Sequence, residues 1–456
     1  MISIELFFNK LANALWGNWL LFALLGVGIL YSFITGFVQV RYFFYIIKNT
    51  VLYPLIKKEK SVEKHGTITS FQALCTALAS CVGSGNIIGV STAILSGGLG
   101  AIFWMWVAAF VGMATKFGEI VLGILYREKD KEGNFVGGPM YICSKGLKLP
   151  WLGTLAAIFM VIQIIGGNFI QSNTISGVMK NNFNVSPIIT GILLIIIIGS
   201  VVTGGLKRLA NVTQKIVPFM AISYIVLGII VILINWRNIP STFEMIFEGA
   251  FSIKAGFGGV MGVTMKEAMR FGVARGLYSN EAGEGSASVI HSAANVSHPV
   301  QQAINGVTEV FIDTFIICTI TGLIIGTSGL VNSGLDARIL VASAFGNIYP
   351  ILSYLISFLL LLFSLTTLMS QWYFGFVGLN YIFGEKVAKN FKYVFPCFCF
   401  FGSVSSINLV WLIQDCALGL LIIPNLIAMV ILSPLVRKNT KDYFSSELYI
   451  KNKNYK

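Results

Sequence analysis

Gly83, Ser84, Gly85 and Asn86 interrupt an otherwise apolar stretch that runs from about residue 68 to residue 95. Each glycine costs a helix interior about 1 kcal/mol relative to alanine, so this segment is expected to unwind at its centre. Its length is enough to cross a bilayer. Backbone released from a helix at that depth must be buried in protein or line a wet cavity. The chemistry on offer is ion and zwitterion binding. Free N–H groups at one half-helix end suit a carboxylate, and free C=O groups at the other suit a cation.

Other polar residues lie inside apolar runs. Ser364, Thr366, Thr367 and Ser370 cluster ahead of Gln371 and Trp372. Their hydroxyls can complete a Na+ shell begun by backbone carbonyls, although such groups also bond harmlessly to their own i−4 carbonyl. Gln163, Asn168, Gln171, Ser172 and Asn173 fall in one apolar window, with Asn168 and Gln171 three apart and sharing a helix face. A carboxamide donates to a carboxylate and accepts from an ammonium, and the plainer reading is an interhelical hydrogen bond worth about 1 kcal/mol or less. Lys116 and Glu119, also three apart, are expected to pair with each other as a structural pair. Asp313 is the unpaired acid at depth, and His291 and His298 read as surface residues of a loop. The seven cysteines, among them Cys75, Cys81, Cys318, Cys397 and Cys399, read as small packing residues rather than a disulfide framework or a zinc site. The run Gly83 to Gly89 has one residue too many and no preceding strand for a dinucleotide loop.

The elements that must position these groups follow from composition. The chain has 456 residues, 55% hydrophobic and 11% charged, with mean hydropathy +0.79. That balance belongs to an all-α polytopic membrane protein. Apolar windows near 18–40, 67–95, 101–126, 151–179, 187–204, 213–235, 244–263, 299–328, 351–383, 391–411 and 413–436 predict about eleven transmembrane helices. The first lacks a basic flank and is too long for a signal-peptide core, so it counts as a span. A net charge of +13 would suit nucleic acid, but 26 of the 32 Lys and Arg fall in alternate loops and the tail. The positive-inside rule therefore places the N-terminus outside and the C-terminus in the cytoplasm of a multi-pass plasma-membrane protein. The expected plan is one transporter domain over 1–436, with an extra N-terminal helix in 1–45, a first repeat in 67–235 and a second in 244–436, then a basic tail at 437–456. Residues 264–298 read as a cytoplasmic amphipathic or re-entrant segment, and 337–345 as a short helix over the outer vestibule. A second interruption is expected at Ala255-Gly256-Phe257-Gly258-Gly259, beside Lys254. Two interrupted spans five apart run in opposite directions, which is the pointer to a 5+5 inverted-repeat secondary transporter with two discontinuous helices.

The run Gly97-Gly98-Leu99-Gly100-Ala101-Ile102-Phe103-Trp104-Met105-Trp106-Val107-Ala108-Ala109-Phe110-Val111-Gly112 resembles the signature of the alanine/glycine:cation symporter family. Phe71-Gln72-Ala73-Leu74, Gly83-Ser84-Gly85-Asn86-Ile87, Gly137-Gly138-Pro139-Met140-Tyr141 and Ser279-Asn280-Glu281-Ala282-Gly283 also match its pattern, and the likeness covers about 15–435. The resemblance implies a leucine-transporter-like fold and Na+-coupled, sometimes H+-coupled, uptake of alanine or glycine. Carried over by position, it implies one Na+ held by the carbonyls of Ala79, Val82 and Phe363 and the hydroxyls of Thr366 and Thr367. It implies a substrate carboxylate at the amides of Gly83, Ser84 and Gly85. Phe251, Phe257, Gly258 and Trp372 would wall the side-chain pocket, with Thr76, Ser80, Asn168 and Gln171 as polar contacts.

The expected function is thus a secondary active transporter that couples Na+ entry to uptake of a small neutral amino acid, with Na+ as the coupling ion and no resident cofactor. An H+-coupled or other small amino-acid permease of the same fold is the alternative. A membrane-embedded transferase would want histidine or paired carboxylates at one membrane face, and a channel would want a ring-forming charge motif; neither pattern is visible.

Overall fold

The computed structural model describes residues 2–56, 67–251, 264–405 and 408–454. Apart from a short hairpin pairing Glu128–Lys129 with Phe135–Val136, the regular elements described are helices. Seven of them are long and apolar enough to cross a bilayer, and an eighth candidate is a pair bent by 57° at its break, Ser70–Cys81 with Ser84–Gly97. This is an all-α polytopic membrane protein.

Two groups of helices face each other. In one, Gly100–Leu125 packs against Met265–Asn280, Ser286–Ser292 and Pro299–Val310. In the other, Pro150–Phe183 packs against Pro350–Phe383, Glu385–Val404 and Asn408–Phe444. Helix Ser70–Cys81 touches both, with Pro350–Phe383 and Gly205–Ile234 on one side and Ser286–Ser292 and Pro299–Val310 on the other.

Local chemistry explains where the two key helices start and stop. Thr69 and Gln72 form a reciprocal capping box ahead of Ser70–Cys81, at 3.0 and 3.1 Å; such a cap is worth about 1 kcal/mol. At the far end the amide of Gly83, which would continue the helix onto the Ala79 carbonyl, instead donates to Asn86 Oδ1 at 2.9 Å. Thr264 and Glu267 cap Met265–Asn280 in the same way. That helix ends where Glu281 turns left-handed (φ 54°), followed by Gly283 (φ 89°) and Gly285 (φ 101°). Glycine takes such angles without the Cβ penalty.

The segment 264–298, expected as a cytoplasmic amphipathic or re-entrant segment, forms two helices, Met265–Asn280 and Ser286–Ser292, that pack into the core, and every residue of the second is buried. Between these two helices the chain breaks at 281–285, while the expected break at 255–259, with Lys254, Phe257 and Gly258, lies outside the described residues. The described part of the window 244–263 belongs to the helix Ile239–Phe251, and the rest of that window lies outside the described residues. The short helix expected at 337–345 is present as Ala337–Gly346, packed on Pro350–Phe383 and Ile88–Gly97.

The aromatic signature holds this arrangement together. Trp104 Nε1 donates to the Ala250 carbonyl at 3.1 Å and Trp106 Nε1 to Thr319 Oγ1 at 2.8 Å. Phe103 packs edge-on against Phe247 and Phe251.

Candidate functional site

The break after Cys81 leaves carbonyls without helical partners, and the Pro350–Phe383 helix brings hydroxyls to them. Thr367 Oγ1 lies 3.0 Å from the Ala79 carbonyl and 3.0 Å from the Phe363 carbonyl. Thr366 Oγ1 lies 3.0 Å from the same Phe363 oxygen. Val82, at the break itself, is fully buried. Four of the five groups expected around a cation thus meet in one place: two carbonyls and two hydroxyls, all neutral oxygens. The approach is close because residue 83 has no side chain. A Cβ on Gly83 would stand 2.5 Å from Thr367 Oγ1 and 3.4 Å from Gln171 Nε2. Ser364 Oγ and Gln171 Oε1 are buried without a hydrogen-bond partner, although buried polar groups are normally paired.

On its other side the break borders a cavity of about 190 Å3. Ser84, Gly85, Ile88 and Thr92 line it from the first broken pair, with Arg275 and Tyr278 from Met265–Asn280, Thr174, and Trp411. The Tyr278 ring stands 3.6 Å from where a Gly85 side chain would begin. Arg275 and Tyr278 were not among the expected site residues, because the helix that carries them reads as a loop.

The remaining expected contacts point elsewhere. Asn168 donates to Cys399 Sγ at 3.3 Å, toward Glu385–Val404. Thr76 Oγ1 is taken up by the Gln72 carbonyl at 2.7 Å and Thr213 Oγ1 at 2.9 Å. Ser80 Oγ bonds to the Ala77 carbonyl and to Glu281 Oε2 at 3.3 Å, across to the second break. Phe251 is 52% exposed and packs on Phe103 and Trp104, so it does not wall the cavity. Trp372, buried with its Nε1 unpartnered, lines a separate cavity of about 330 Å3 with Thr67, Glu132 and Lys389. Lys389 pairs with Glu132 at 2.5 Å on the rim, and its ammonium holds the Glu132 carboxyl below the usual carboxylate range.

A buried ionic cluster adjoins both breaks, and its pairing differs from the expected one. Lys116 does not pair with Glu119. Its Nζ donates to Glu309 Oε1 at 2.5 Å, the Asn280 carbonyl at 2.7 Å and Cys81 Sγ at 3.1 Å. Glu119 instead accepts from the amides of Gly283 at 3.2 Å and Ser288 at 3.3 Å. His291 is fully buried, not a surface residue, with Nε2 3.2 Å from Glu309 and Nδ1 2.7 Å from Gln302 Nε2. Asp313 is well partnered, accepting from Asn86 Nδ2 at 2.6 Å, Thr314 Oγ1 at 2.7 Å and Ser279 Oγ at 3.1 Å. Glu309 was missed in the sequence, although it stands within an apolar window, where an ionisable group defaults to a functional hypothesis.

This geometry has known relatives. A protein of Methanococcus maripaludis named sodium/alanine symporter AgcS is 39% identical over 444 residues, covering 95% of this chain and 96% of that one. A probable sodium/glutamine symporter, GlnT of Bacillus subtilis, is 35% identical over 435 residues, covering 94% and 89%. The crystal structure of MhsT in complex with L-phenylalanine shares the fold, with TM-score 0.59 at 15% identity over 86% of this chain and 97% of that one. The profile of the sodium:alanine symporter family matches residues 1–456. The chain is therefore a transporter of leucine-transporter-like fold and not an enzyme, and it belongs to the sodium:alanine symporter family.

Proposed function

We propose that this protein carries alanine, glycine or both into the cell together with Na+, by alternating access. The observation that carries the reading is the meeting of the Ala79 and Phe363 carbonyls at the Thr367 hydroxyl, on the same break that borders the cavity. Na+ takes the oxygens of Ala79, Val82, Phe363, Thr366 and Thr367, and no resident cofactor is invoked. The amino-acid carboxylate takes the amides of Ser84 and Gly85, with Gln171 beside them, because the Gly83 amide is held by Asn86 Oδ1. Tyr278 and Ile88 enclose the substrate side chain. The size of the cavity supports a small solute: about 190 Å3 is the share of about six waters at roughly 30 Å3 each, and it falls below the roughly 300–1,000 Å3 of sites for drug-sized ligands.

In this reading the chain crosses the membrane about eleven times, with residues 265–292 as the second discontinuous helix of a 5+5 repeat. The loop-charge bias keeps the N-terminus outside and the C-terminus inside, so the 330 Å3 cavity beside the hairpin opens to the cytoplasm. The test is uptake of labelled alanine and glycine by proteoliposomes with Na+ and pH gradients imposed separately. An inward Na+ gradient at uniform pH is expected to drive accumulation. Accumulation driven by the pH gradient alone would replace Na+ with H+, and accumulation of neither solute would remove the substrate assignment.

A further inference from the structure

Lys116 is the one lysine or arginine among the described residues that is fully buried, and the placement of its ammonium is specific. An ammonium has three donors, and the three partners are Glu309 Oε1, the Asn280 carbonyl and Cys81 Sγ, at 2.5, 2.7 and 3.1 Å. Cys81 is the last residue of Ser70–Cys81 and Asn280 the last of Met265–Asn280. The ammonium therefore sits where the C-terminal ends of both interrupted helices meet. Each such end carries unsatisfied carbonyls and the negative end of a helix dipole. In a transporter built on broken helices this is where a coupling cation is expected.

We propose that Lys116 is a tethered cation that fills the place of a second coupling ion at the paired helix ends, so that one Na+ is coupled to each amino acid. The proposal rests on the Na+-coupled reading above. A covalently held ammonium supplies the charge that joins the two breaks, but it cannot be released on the other side of the membrane. It therefore positions the breaks without adding to the driving force. Its counter-charge is fixed as well: Glu309 also accepts from Cys81 Sγ at 2.9 Å and is met by His291 at 3.2 Å. Two other carboxylates lie beside the first break, and neither is built into a second cage: Glu281 accepts from Ser80 Oγ at 3.3 Å and Ser286 Oγ at 2.6 Å, and Asp313 is taken up in turn. Asn86 spends its oxygen on the Gly83 amide and turns its NH2 to Asp313, whose oxygens also receive Ser279 and Thr314. The oxygens open to an ion are then those around Thr367.

The deciding measurement is the equilibrium accumulation of alanine in proteoliposomes of the unaltered protein, at zero membrane potential, against an imposed Na+ ratio. A tenfold Na+ ratio is expected to give about tenfold accumulation. About hundredfold accumulation would mean two transported ions and would overturn the proposal. Absence of any Na+-driven accumulation would instead strike the function reading on which it rests. A second arm compares Lys116→Arg with Lys116→Met. The arginine variant is expected to keep Na+-driven uptake and the methionine variant to lose it at least tenfold. A monodisperse Lys116→Met protein with unaltered Na+ activation would also overturn the proposal. Should that variant fail to fold, the accumulation ratio of the unaltered protein still decides.

Discussion

Replacing Gly83 by alanine probes the cation cage with a single methyl group. Its Cβ would stand 2.5 Å from Thr367 Oγ1, so the hydroxyl must retreat by roughly 1 Å to reach an ordinary contact distance. Overpacking of this kind costs about 1–3 kcal/mol. Withdrawing the hydroxyl also weakens its one donated hydrogen bond, shared between the Ala79 and Phe363 carbonyls and worth about 0.5–1.5 kcal/mol. If the same oxygen ligates Na+, its loss at about 1.4 kcal/mol per tenfold change raises the Na+ concentration for half-maximal uptake by about 10- to 100-fold. The control is built into the geometry. The same Cβ would lie 3.5 Å from Thr367 Cβ, an ordinary contact, so once Thr367→Ala has removed the hydroxyl the added methyl meets no clash. Gly83→Ala and Thr367→Ala should each weaken Na+ activation, and the double variant should match Thr367→Ala alone, because groups in contact couple rather than add. The assay is labelled-alanine uptake against external Na+, with monodispersity checked by size-exclusion chromatography. Unchanged Na+ activation in Gly83→Ala, or fully additive effects in the double variant, would refute the assignment of the cage.

Three further outcomes follow from the same geometry. Gly85→Leu should fold normally, because its Cβ meets the Tyr278 ring at an unstrained 3.6 Å, and it should abolish alanine uptake by filling the cavity; retained uptake would place the substrate elsewhere. Gln171→Ala should raise the KM for alanine about tenfold, or roughly 1.4 kcal/mol, whereas Asn168→Ala, whose side chain faces Cys399, should leave KM within about twofold and report only in thermal stability; equal KM effects would undo the distinction. The Glu132 carboxyl is held below its usual range by Lys389, so the stabilisation of the hairpin by this pair is present above the ordinary carboxylate pKa and is lost as pH falls through the depressed one. Hydrogen exchange of the 128–136 backbone should accelerate on acidification through that range in the native protein and show no such step in Glu132→Gln; a step that survives the substitution would assign it to another group.

The first interruption was legible because Gly-Ser-Gly-Asn is poor helix material inside an apolar run, and the hydroxyls of Thr366 and Thr367 stood out for the same reason. The second interruption was not legible. Met265–Asn280 carries Lys266, Glu267, Arg270 and Arg275, and hydropathy reads such a segment as solvent-facing. What buries it is tertiary: Gly100–Leu125 covers one face, and Lys116 takes its terminal carbonyl. No window on the segment itself can contain that information. Pairing failed in the same way. Lys116 and Glu119 sit one helical turn apart, a spacing at which side chains can meet, yet a buried ammonium needs three acceptors, and Glu309 with two helix ends supplies them. Asn168 and Gln171 show the limit of a shared face. Three residues are about 300° of helix rotation, which leaves an offset of roughly 60°, enough to aim one side chain at Cys399 and the other at Gly83.

The placement of the two cation positions constrains how an ion can do work on this fold. A ligand shifts a conformational equilibrium only by its difference in affinity between states; moving a population from 1:99 to 99:1 takes about 5.5 kcal/mol. The Thr367 cage is divided between two helices, with Ala79 on Ser70–Cys81 and Phe363 and Thr367 on Pro350–Phe383. Separating these two helices by a few ångströms takes apart the cage and with it nearly the whole affinity for the ion, so binding there favours the state in which they meet. The Lys116 contacts join Gly100–Leu125 and Pro299–Val310 to the ends of Ser70–Cys81 and Met265–Asn280. They survive any motion in which Ser70–Cys81 moves with those helices as a body. A cation at the divided position can therefore drive the transition, while a cation at the undivided one holds the moving part together, and exchanging the chemistry of the two positions would leave the transporter with nothing for the Na+ gradient to act on.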